Sequence, residues 1–434
     1  MVTHRARDIA PGLAAPQPGW HDAGVTSSHR APAPPAWSSE LFTVGVTGTN
    51  GKTTTTAWVA AALRSLAASR GEGPVARATT VGFFLDDEEV PVEKTYAGFI
   101  AAMRTCFERG GRHAAIELTS EALAQGFAHA WPCQVGVFTN LTHDHLDAHG
   151  SAEHYLASKA QLFVALPAGG TAVLNAADPV FELLSEVIPV GVAVRSYAVP
   201  SRGPTLGKAD LVATAVDVSW SGTRIVCAVR DDGSCSGLPR ELRVRAIGEV
   251  HAENALAALL GAVAAGVPPA LAAAALEVAA PPPGRFEVVH ERPYVVVDYA
   301  HSPDALERSV QTARKLAKGA LCVVFGAGGQ RDQAKRAPMG EAARPADHVI
   351  LTTDNPRDED PAAIAAEIAI GLRGHGSVRI ELDRRGAITT AIASAGAEDV
   401  VLIAGKGHEV EQQVGGATRR FSDVEVAREA LASR

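Results

Sequence analysis

The chain of 434 residues has only five cysteines, Cys106, Cys133, Cys227, Cys235 and Cys322, scattered singly with no C-x-x-C pair. An odd set with such spacing suits neither a disulfide framework nor a zinc site, and a reducing cytoplasm is its simplest setting. No run of about 18 apolar residues occurs, and Pro11, Pro16 and Pro18 interrupt any signal-like pattern at the start, which disfavours export and membrane spanning. A block of Lys and Arg is also missing. With 40 basic against 48 acidic residues the formal charge is −8, so no stripe tracks a phosphate backbone and nucleic acid is a poor partner. No repeat with a period of about 20 to 50 residues is apparent. What is present, 47% hydrophobic and 20% charged residues, is enough for sizeable cores, and at about 150 residues per domain one small core is excluded.

Residues 1–40 are rich in Pro, Ala, Ser and His and end in Ala31-Pro32-Ala33-Pro34-Pro35-Ala36, the composition of a disordered tail or linker. From Leu41, β-branched or apolar runs alternate with Ala-rich helical stretches: Leu41–Val46, His113–Leu118, Val135–Asn140 and Thr171–Asn175 read as parallel strands with crossover helices. Ala193–Val199, Leu211–Trp220 and Thr223–Arg230 read as a β-rich flank, the last two forming a hairpin through Ser221-Gly222. Pro281-Pro282-Pro283-Gly284 is the strongest internal stop, after which Tyr294–Asp298, Leu321–Phe325, His348–Thr353, Val378–Leu382 and Val400–Ala404 restart the alternation. The expected class is α/β: a P-loop ATPase-type domain with a parallel sheet over about 41–280, and a Rossmann-like domain over about 281–434.

Three groups of residues carry chemistry. Gly48-Thr49-Asn50-Gly51-Lys52-Thr53-Thr54 follows an apolar strand and opens a helix. Glycines let backbone N–H groups close around phosphate oxygens, the helix N-terminus adds positive potential, Lys52 reaches the β- and γ-phosphates and Thr53 can ligate Mg²⁺. The spacing is G-x-x-G-K-T, with Val46 where the longer motif has its first glycine. Second, His143-Asp144-His145-Leu146-Asp147-Ala148-His149 packs potential ligands after another strand; downstream of a phosphate loop, a magnesium or phosphate role is more economical than dizinc chemistry. Glu117 at the carboxyl end of its strand is placed to hold a metal or its water. Third, Gly326-Ala327-Gly328-Gly329-Gln330-Arg331-Asp332, Thr353-Asp354-Asn355-Pro356-Arg357 and Gly405-Lys406-Gly407-His408-Glu409 follow strands of one sheet. Arg331 stands at the third glycine position of a dinucleotide fingerprint, which rejects NAD. An Arg that grips a carboxylate and a Glu that holds an ammonium together suit an amino acid.

Taken in order, the runs TGTNGKTT (Thr47–Thr54), TNLTHDHLD (Thr139–Asp147), YLASKAQLF (Tyr155–Phe163), LNAADP (Leu174–Pro179), DYAHSPD (Asp298–Asp304), DNPR (Asp354–Arg357) and GKGHE (Gly405–Glu409) resemble the Mur ligase family, in the branch that adds the third peptide residue to a UDP-N-acetylmuramoyl dipeptide. The resemblance implies an ATP-dependent, ADP-forming amide ligase in which an acceptor carboxylate takes the γ-phosphoryl group to give an acyl phosphate, and an amine then displaces phosphate. It implies that Gly48, Thr49, Asn50, Gly51, Lys52, Thr53 and Thr54 bind ATP with Asn254 and Asp298, and that Thr53, Glu117, His145 and Lys159 serve Mg²⁺, Lys159 as a CO₂-derived carbamate. Lys52, Glu117, His145 and Lys159 are then catalytic. Arg331, Asn355, Arg357, Gly405 and Glu409 match the site for the added amino acid; DNPR accompanies meso-diaminopimelate, with Arg357 on a carboxylate, and the C-terminal domain closes over ATP. There are departures. The Pro-rich stretch stands where the family has its uridine-nucleotide domain, Glu93-Lys94-Thr95-Tyr96 replaces an Asn-Thr-Thr-Pro-like run, Glu121 replaces a His and Gln330 an Asp. These point to a different or truncated carboxylate acceptor, or to a low affinity for the normal one. Alternatives are a folylpolyglutamate or cyanophycin synthetase-like ligase, and a catalytically silent ATP-binding partner of a ligase. The oligomeric state is left open.

Overall fold

A computed structural model describes residues 33–142, 151–200, 209–230, 236–330 and 332–434. The first sheet is built from β1 (Phe42–Thr47), β2 (Ala76–Ala78), β3 (Phe83–Leu85), β4 (Glu88–Glu89), β5 (His113–Glu117), β6 (Val135–Phe138), β7 (Thr171–Asn175), β8 (Ala193–Ala198), β9 (Leu211–Ser219), β10 (Gly222–Val229) and β11 (Glu241–Val244). Their order across the sheet is β11-β10-β9-β8-β7-β6-β1-β5-β2-β3-β4. The centre, from β9 through β1 and β5 to β2, is parallel; β9–β10–β11 and β2–β3–β4 are antiparallel meanders.

The central strands are apolar on both sides because both faces are covered, the condition under which parallel strands persist. Helices Lys52–Arg70, Val250–Ala264 and Pro269–Val278 bury Trp58, Val59, Leu63, Leu256, Leu259 and Leu276 against Val44, Val137 and Val173. Helices Tyr96–Glu108 and Ala152–Val164 bury Phe99, Met103, Leu162 and Phe163 against Ile116, Phe138 and Leu174 on the other face. Within the stretch read as a tail, Ala36–Glu40 forms a 3₁₀ turn, and Trp37 packs its ring 5.7 Å from both Phe107 and Trp131.

The second sheet has β12 (Glu287–Glu291), β13 (Tyr294–Asp298), β14 (Leu321–Phe325), β15 (His348–Leu351), β16 (Val378–Ile380) and β17 (Val400–Ala404), in the order β12-β13-β17-β14-β15-β16. All neighbours are parallel except the edge strand β12. Helices Pro303–Leu316 and Pro361–Gly371 cover one face, Arg384–Ser394 and Asp423–Ala432 the other. The starts of these helices are set locally: Ser302, Asp360, Asp383 and Ser422 each accept a backbone N–H of the first turn, with Pro303 and Pro361 at the first helical position. A hairpin, β18 (Glu411–Val414) and β19 (Ala417–Arg420), follows β17.

Under the carboxyl end of β17, Arg384 and Asp423 form a two-pronged ion pair, both contacts 2.7 Å, with both side chains fully buried. Arg384 Nη2 also donates to the Ala404 carbonyl at 3.0 Å, which ties two helices to the strand end that leads into Gly405. Removing one partner strands a buried charge. Asp423→Ala is expected to cost about 3–5 kcal/mol, read as a lowered denaturant midpoint, whereas Asp423→Leu combined with Arg384→Met recovers most of that loss.

Candidate active site

β1 runs into the loop Gly48–Gly51, and helix Lys52–Arg70 starts directly after it. The loop is wedged between two neighbours. At Gly51, φ +83°, a Cβ would lie 2.0 Å from Asn254 Oδ1; at Gly48, φ +150°, it would lie 1.9 Å from Thr139 Oγ1. Only glycine fits both places. The neighbours also pin the backbone: Thr49 N–H donates to Asn140 O (2.7 Å), Asn50 N–H to Asn140 Oδ1 (2.9 Å), and Thr139 Oγ1 to Asn50 O (2.6 Å). Lys52 curls back, its Nζ 2.7 Å from Thr49 O. Cation and helix N-terminus therefore meet at one cradle, the arrangement that binds phosphate.

Glu117 ends β5, paired in register with Val46 of β1, and so arrives beside this cradle. Its Oε2 accepts from Thr53 Oγ1 (2.9 Å) and Thr80 N–H (3.2 Å). A hydroxyl and a carboxylate at that separation are hard oxygen donors that fit Mg²⁺. Among the described residues no cluster of three or more His, Cys, Asp or Glu side chains could hold a metal; His145, with the rest of residues 143–150, lies outside them. Lys159, which on sequence pattern alone is an ordinary helix lysine, is 1% exposed, with Nζ 2.7 Å from Gly48 O and 4.3 Å from the Tyr155 ring centre.

Opposite the loop an open cleft is lined by Asn50, Gly51 and Thr54 on one side and Arg285, Asp298, Tyr299 and His301 on the other, with His251 and Asn254 at its floor. Asn254 is 2% exposed and its Oδ1 has no hydrogen-bond partner among the described residues, a buried acceptor facing the cleft. Burial, with Arg285 adding to it, pushes the neighbouring His251 imidazole down to about 4 and keeps it neutral. Asp298 lines the cleft but its oxygens are engaged: Oδ1 accepts from Phe286 N–H (3.1 Å) and Tyr299 N–H (2.8 Å), Oδ2 from the Ser309 hydroxyl.

Several contacts cross this cleft. Asn50 Nδ2 donates to Asp304 Oδ2 (3.1 Å), Arg308 bridges Asp304 (3.0 Å) and the buried Glu253 (3.4 Å), and Arg285 Nη2 lies 3.5 Å from Thr53 Oγ1 with its guanidinium 4.4 Å over the Tyr299 ring. Arg285 and Arg308 were not singled out from the sequence. Arg285 directly follows the Pro281–Gly284 stop, which reads as punctuation and conceals a cation delivered by it.

The loops after β15 and β17 meet in one polar cluster. Asn355 Nδ2 donates to Glu409 Oε2 (3.0 Å), and the fully buried Lys406 ammonium reaches Glu409 Oε2 (2.8 Å) and Asn355 Oδ1 (3.2 Å). Gly405, φ +118°, admits this packing, since a Cβ there would lie 2.4 Å from Asp354 Oδ2. Arg357, at φ +53°, directs Nη1 to Gly329 O (2.6 Å). Arg331 lies outside the described residues. Lys406, noted in the sequence only as part of a motif, orients both Asn355 and Glu409. Tyr299 lies between the two clusters, its ring 4.4 Å from the Arg285 guanidinium and 5.1 Å from the His408 ring; burial, and the carboxylates of Glu409, Asp354 and Glu117, push its phenol up to about 12 against the opposing pull of Arg285.

A phosphate cradle with a magnesium-type oxygen pair, facing a second parallel sheet whose loops suit a zwitterion, defines a nucleotide-dependent α/β enzyme of the P-loop kind. The chain belongs to the Mur ligase family: the Mur ligase middle domain matches residues 46–262 and the Mur ligase, glutamate ligase domain residues 284–407. It is 38% identical over 408 residues to the UDP-N-acetylmuramoyl-L-alanyl-D-glutamate–2,6-diaminopimelate ligase of Bacillus velezensis, covering 91% of this chain and 79% of that one. With the ligase of the same name from Synechococcus elongatus it shares 40% over 414 residues, 91% and 77% of the two chains. A solved structure of a ligase of that name superimposes with a TM-score of 0.62 at 32% identity, over 91% and 78%. Mycobacterium tuberculosis folylpolyglutamate synthase shares the fold, with a TM-score of 0.68 at 18% identity over 92% of each chain.

The Gly51–Asn254 approach gives a direct check. Gly51→Ala adds about 1–2 kcal/mol of backbone strain and displaces the Asn254 amide; a calorimetric ATP titration should then read an affinity at least about tenfold weaker.

Proposed function

We propose that this chain is an ATP-dependent, ADP-forming amide ligase that joins meso-diaminopimelate to the free carboxylate of a UDP-linked muramoyl dipeptide through an acyl phosphate. The observation that carries this reading is the Thr53–Glu117 oxygen pair, 2.9 Å apart at the phosphate cradle, with Arg285 reaching Thr53 from its place over the Tyr299 ring, which lies 5.1 Å from the ring of His408 in the loop that carries Lys406 and Glu409. The 35–40% identity to diaminopimelate ligases over most of the chain supports the same conclusion.

In this reading residues 41–280 handle ATP and the acceptor, and 281–434 the incoming amino acid. The Gly51 N–H and the first-turn N–H groups of helix Lys52–Arg70, with the Lys52 ammonium, hold the β- and γ-phosphates, the Thr49 and Asn50 N–H groups being engaged by Asn140, and Arg285 reaches toward them from across the cleft. Asn254 Oδ1 accepts from an amino group of the base, and Asp298 shapes the wall by fixing the turn after β13. Thr53, Glu117, His145 and Lys159 would hold Mg²⁺, which would supply charge neutralisation for phosphoryl transfer. An acceptor carboxylate oxygen bonds to the γ-phosphorus as ADP leaves; the amine then bonds to the carbonyl carbon as phosphate leaves. Arg331 and Arg357 take carboxylates of the diamino acid, Glu409 takes an ammonium, and Gly405 and Asn355 fix the pocket. Lys159, whose Nζ lies 2.7 Å from Gly48 O, would on bonding CO₂ and releasing its protons exchange an ammonium for a carbamate, an anionic oxygen beside the phosphate loop. The setting is cytoplasmic and the partners are small molecules; among the described residues no helix is long and apolar enough to cross a membrane.

Phosphate release tests the reading: meso-diaminopimelate should stimulate it only together with UDP-muramoyl dipeptide, across a panel of amino acids and simpler γ-carboxylates. Release with no acceptor at all, or only with a folate or peptide acceptor, would redirect the assignment. Lys159→Ala should lower turnover by about 10²-fold or more, with partial recovery when a short carboxylic acid is added; undiminished turnover removes the carbamate.

A further inference from the structure

The hairpin β18–β19 leaves the GKGHE loop, turns at Gly415 and Gly416 (φ +54° and +73°) and lies back on the loop Thr353–Arg357. It holds that loop by its backbone. Arg357 N–H donates to Gln413 O (3.2 Å), Gly415 N–H donates to Arg357 O (2.7 Å), and Gln413 N–H donates to Asn355 Oδ1 (3.0 Å). Both polar backbone groups of Arg357 are thus engaged at φ +53°, a conformation that a residue with a side chain keeps only when its surroundings impose it.

One side chain fixes where the hairpin sits. Gln412 is 0% exposed; its Nε2 donates to Asp354 O (2.7 Å) and Thr353 O (3.3 Å), and its Oε1 accepts from Arg419 Nε (3.1 Å) and Nη2 (2.8 Å). Arg419 is its cross-strand partner in the hairpin. A guanidinium has only donors, so the amide oxygen must face Arg419 and the NH₂ must face the two carbonyls. The orientation of the amide is decided by its partners, and through it the hairpin is keyed to the residues immediately before Asn355.

We infer that Gln412, oriented by Arg419, is a positioning residue for the amine-side substrate: it anchors the Thr353 and Asp354 carbonyls so that Asn355 and Arg357 are presented to the incoming amino acid. The identity of that substrate rests on the ligase reading above; the anchoring has its own readout. Gln412→Glu keeps the oxygen that Arg419 needs and loses both donors. In that variant the KM for the amino acid should rise about tenfold, with the KM for ATP unchanged within about twofold. Backbone amide exchange at Arg357 and Gly415 should quicken by about tenfold while β13, β14 and β17 keep their protection. Arg419→Met should move both readouts the same way by less. Unchanged protection at Arg357 and Gly415, or KM values for ATP and amino acid that rise together, would overturn the assignment. A wild-type chain that consumes ATP with no amine would remove the ligase reading instead, and the exchange experiment would still decide the role of Gln412.

Discussion

The close approach of the phosphate loop to the helix Val250–Ala264 is the constraint on which the site depends. Gly51 brings its backbone against the Asn254 amide with no room for a Cβ, so the cradle for phosphates and the buried acceptor at the cleft floor are fixed by one contact. That helix can serve as a rigid floor because it is apolar almost all round, packed against the sheet and against helix Lys52–Arg70. The polar residues it does bury, His251, Glu253 and Asn254, fall in its first turn and a half, where they reach the cleft or the salt bridge to Arg308. Hydrophobic packing thus anchors the helix as a body, and the few polar groups it carries supply the directional contacts.

From that loop, registration passes to the second sheet through side chains. Asn50 reaches Asp304 at the start of helix Pro303–Leu316, while Arg285 spans from Tyr299 toward Thr53. These contacts are individually modest, since partly exposed pairs contribute little. Their position gives them consequence: each begins on the phosphate loop, or on the hydroxyl facing Glu117, and ends on the turn after β13 or the helix beyond it. Any ligand that fills the cleft meets groups from both sheets at once, so occupancy of the cleft and the relative placement of the sheets are coupled by geometry.

Much of this was legible in the sequence, for identifiable reasons. The long central strands announce themselves because burial on both faces leaves near-continuous apolar runs, and the phosphate loop because glycines, lysine and threonine must occur at fixed spacing. β2, β3 and β4 escaped because two or three residues cannot display a period. The edge strand β12 and the hairpin β18–β19 escaped because exposed or half-buried strands mix polar and apolar residues freely. At the site, the sequence indicated which loops carry chemistry but not how side chains divide the work. Asp298, expected on the nucleotide, spends its oxygens on two backbone N–H groups and Ser309, and Glu409, expected on an ammonium, already has one in Lys406. Such pairings join residues far apart in the chain, where no local pattern records them.

The buried cations make the same point in energetic terms. Lys406 and Arg384 are fully buried and Arg336 is 1% exposed, and each is met by carboxylates: Glu409, Asp423, and Glu359 with Glu367. A buried ion pair contributes little net stability, because desolvation offsets most of the attraction, so stability alone does not account for three of them beside one sheet. Their placement does. Arg384 holds the end of β17 that leads into Gly405, Lys406 orients Asn355 and Glu409, and Arg336 holds Glu359, two residues beyond Arg357 and bonded to the Gln330 N–H. Directional charge-assisted bonds fix loop geometry where apolar contacts, being non-directional, would let it slide. These three buried cations thus sit where a loop of the site must be held in place, and bulk stability is left to the apolar layers.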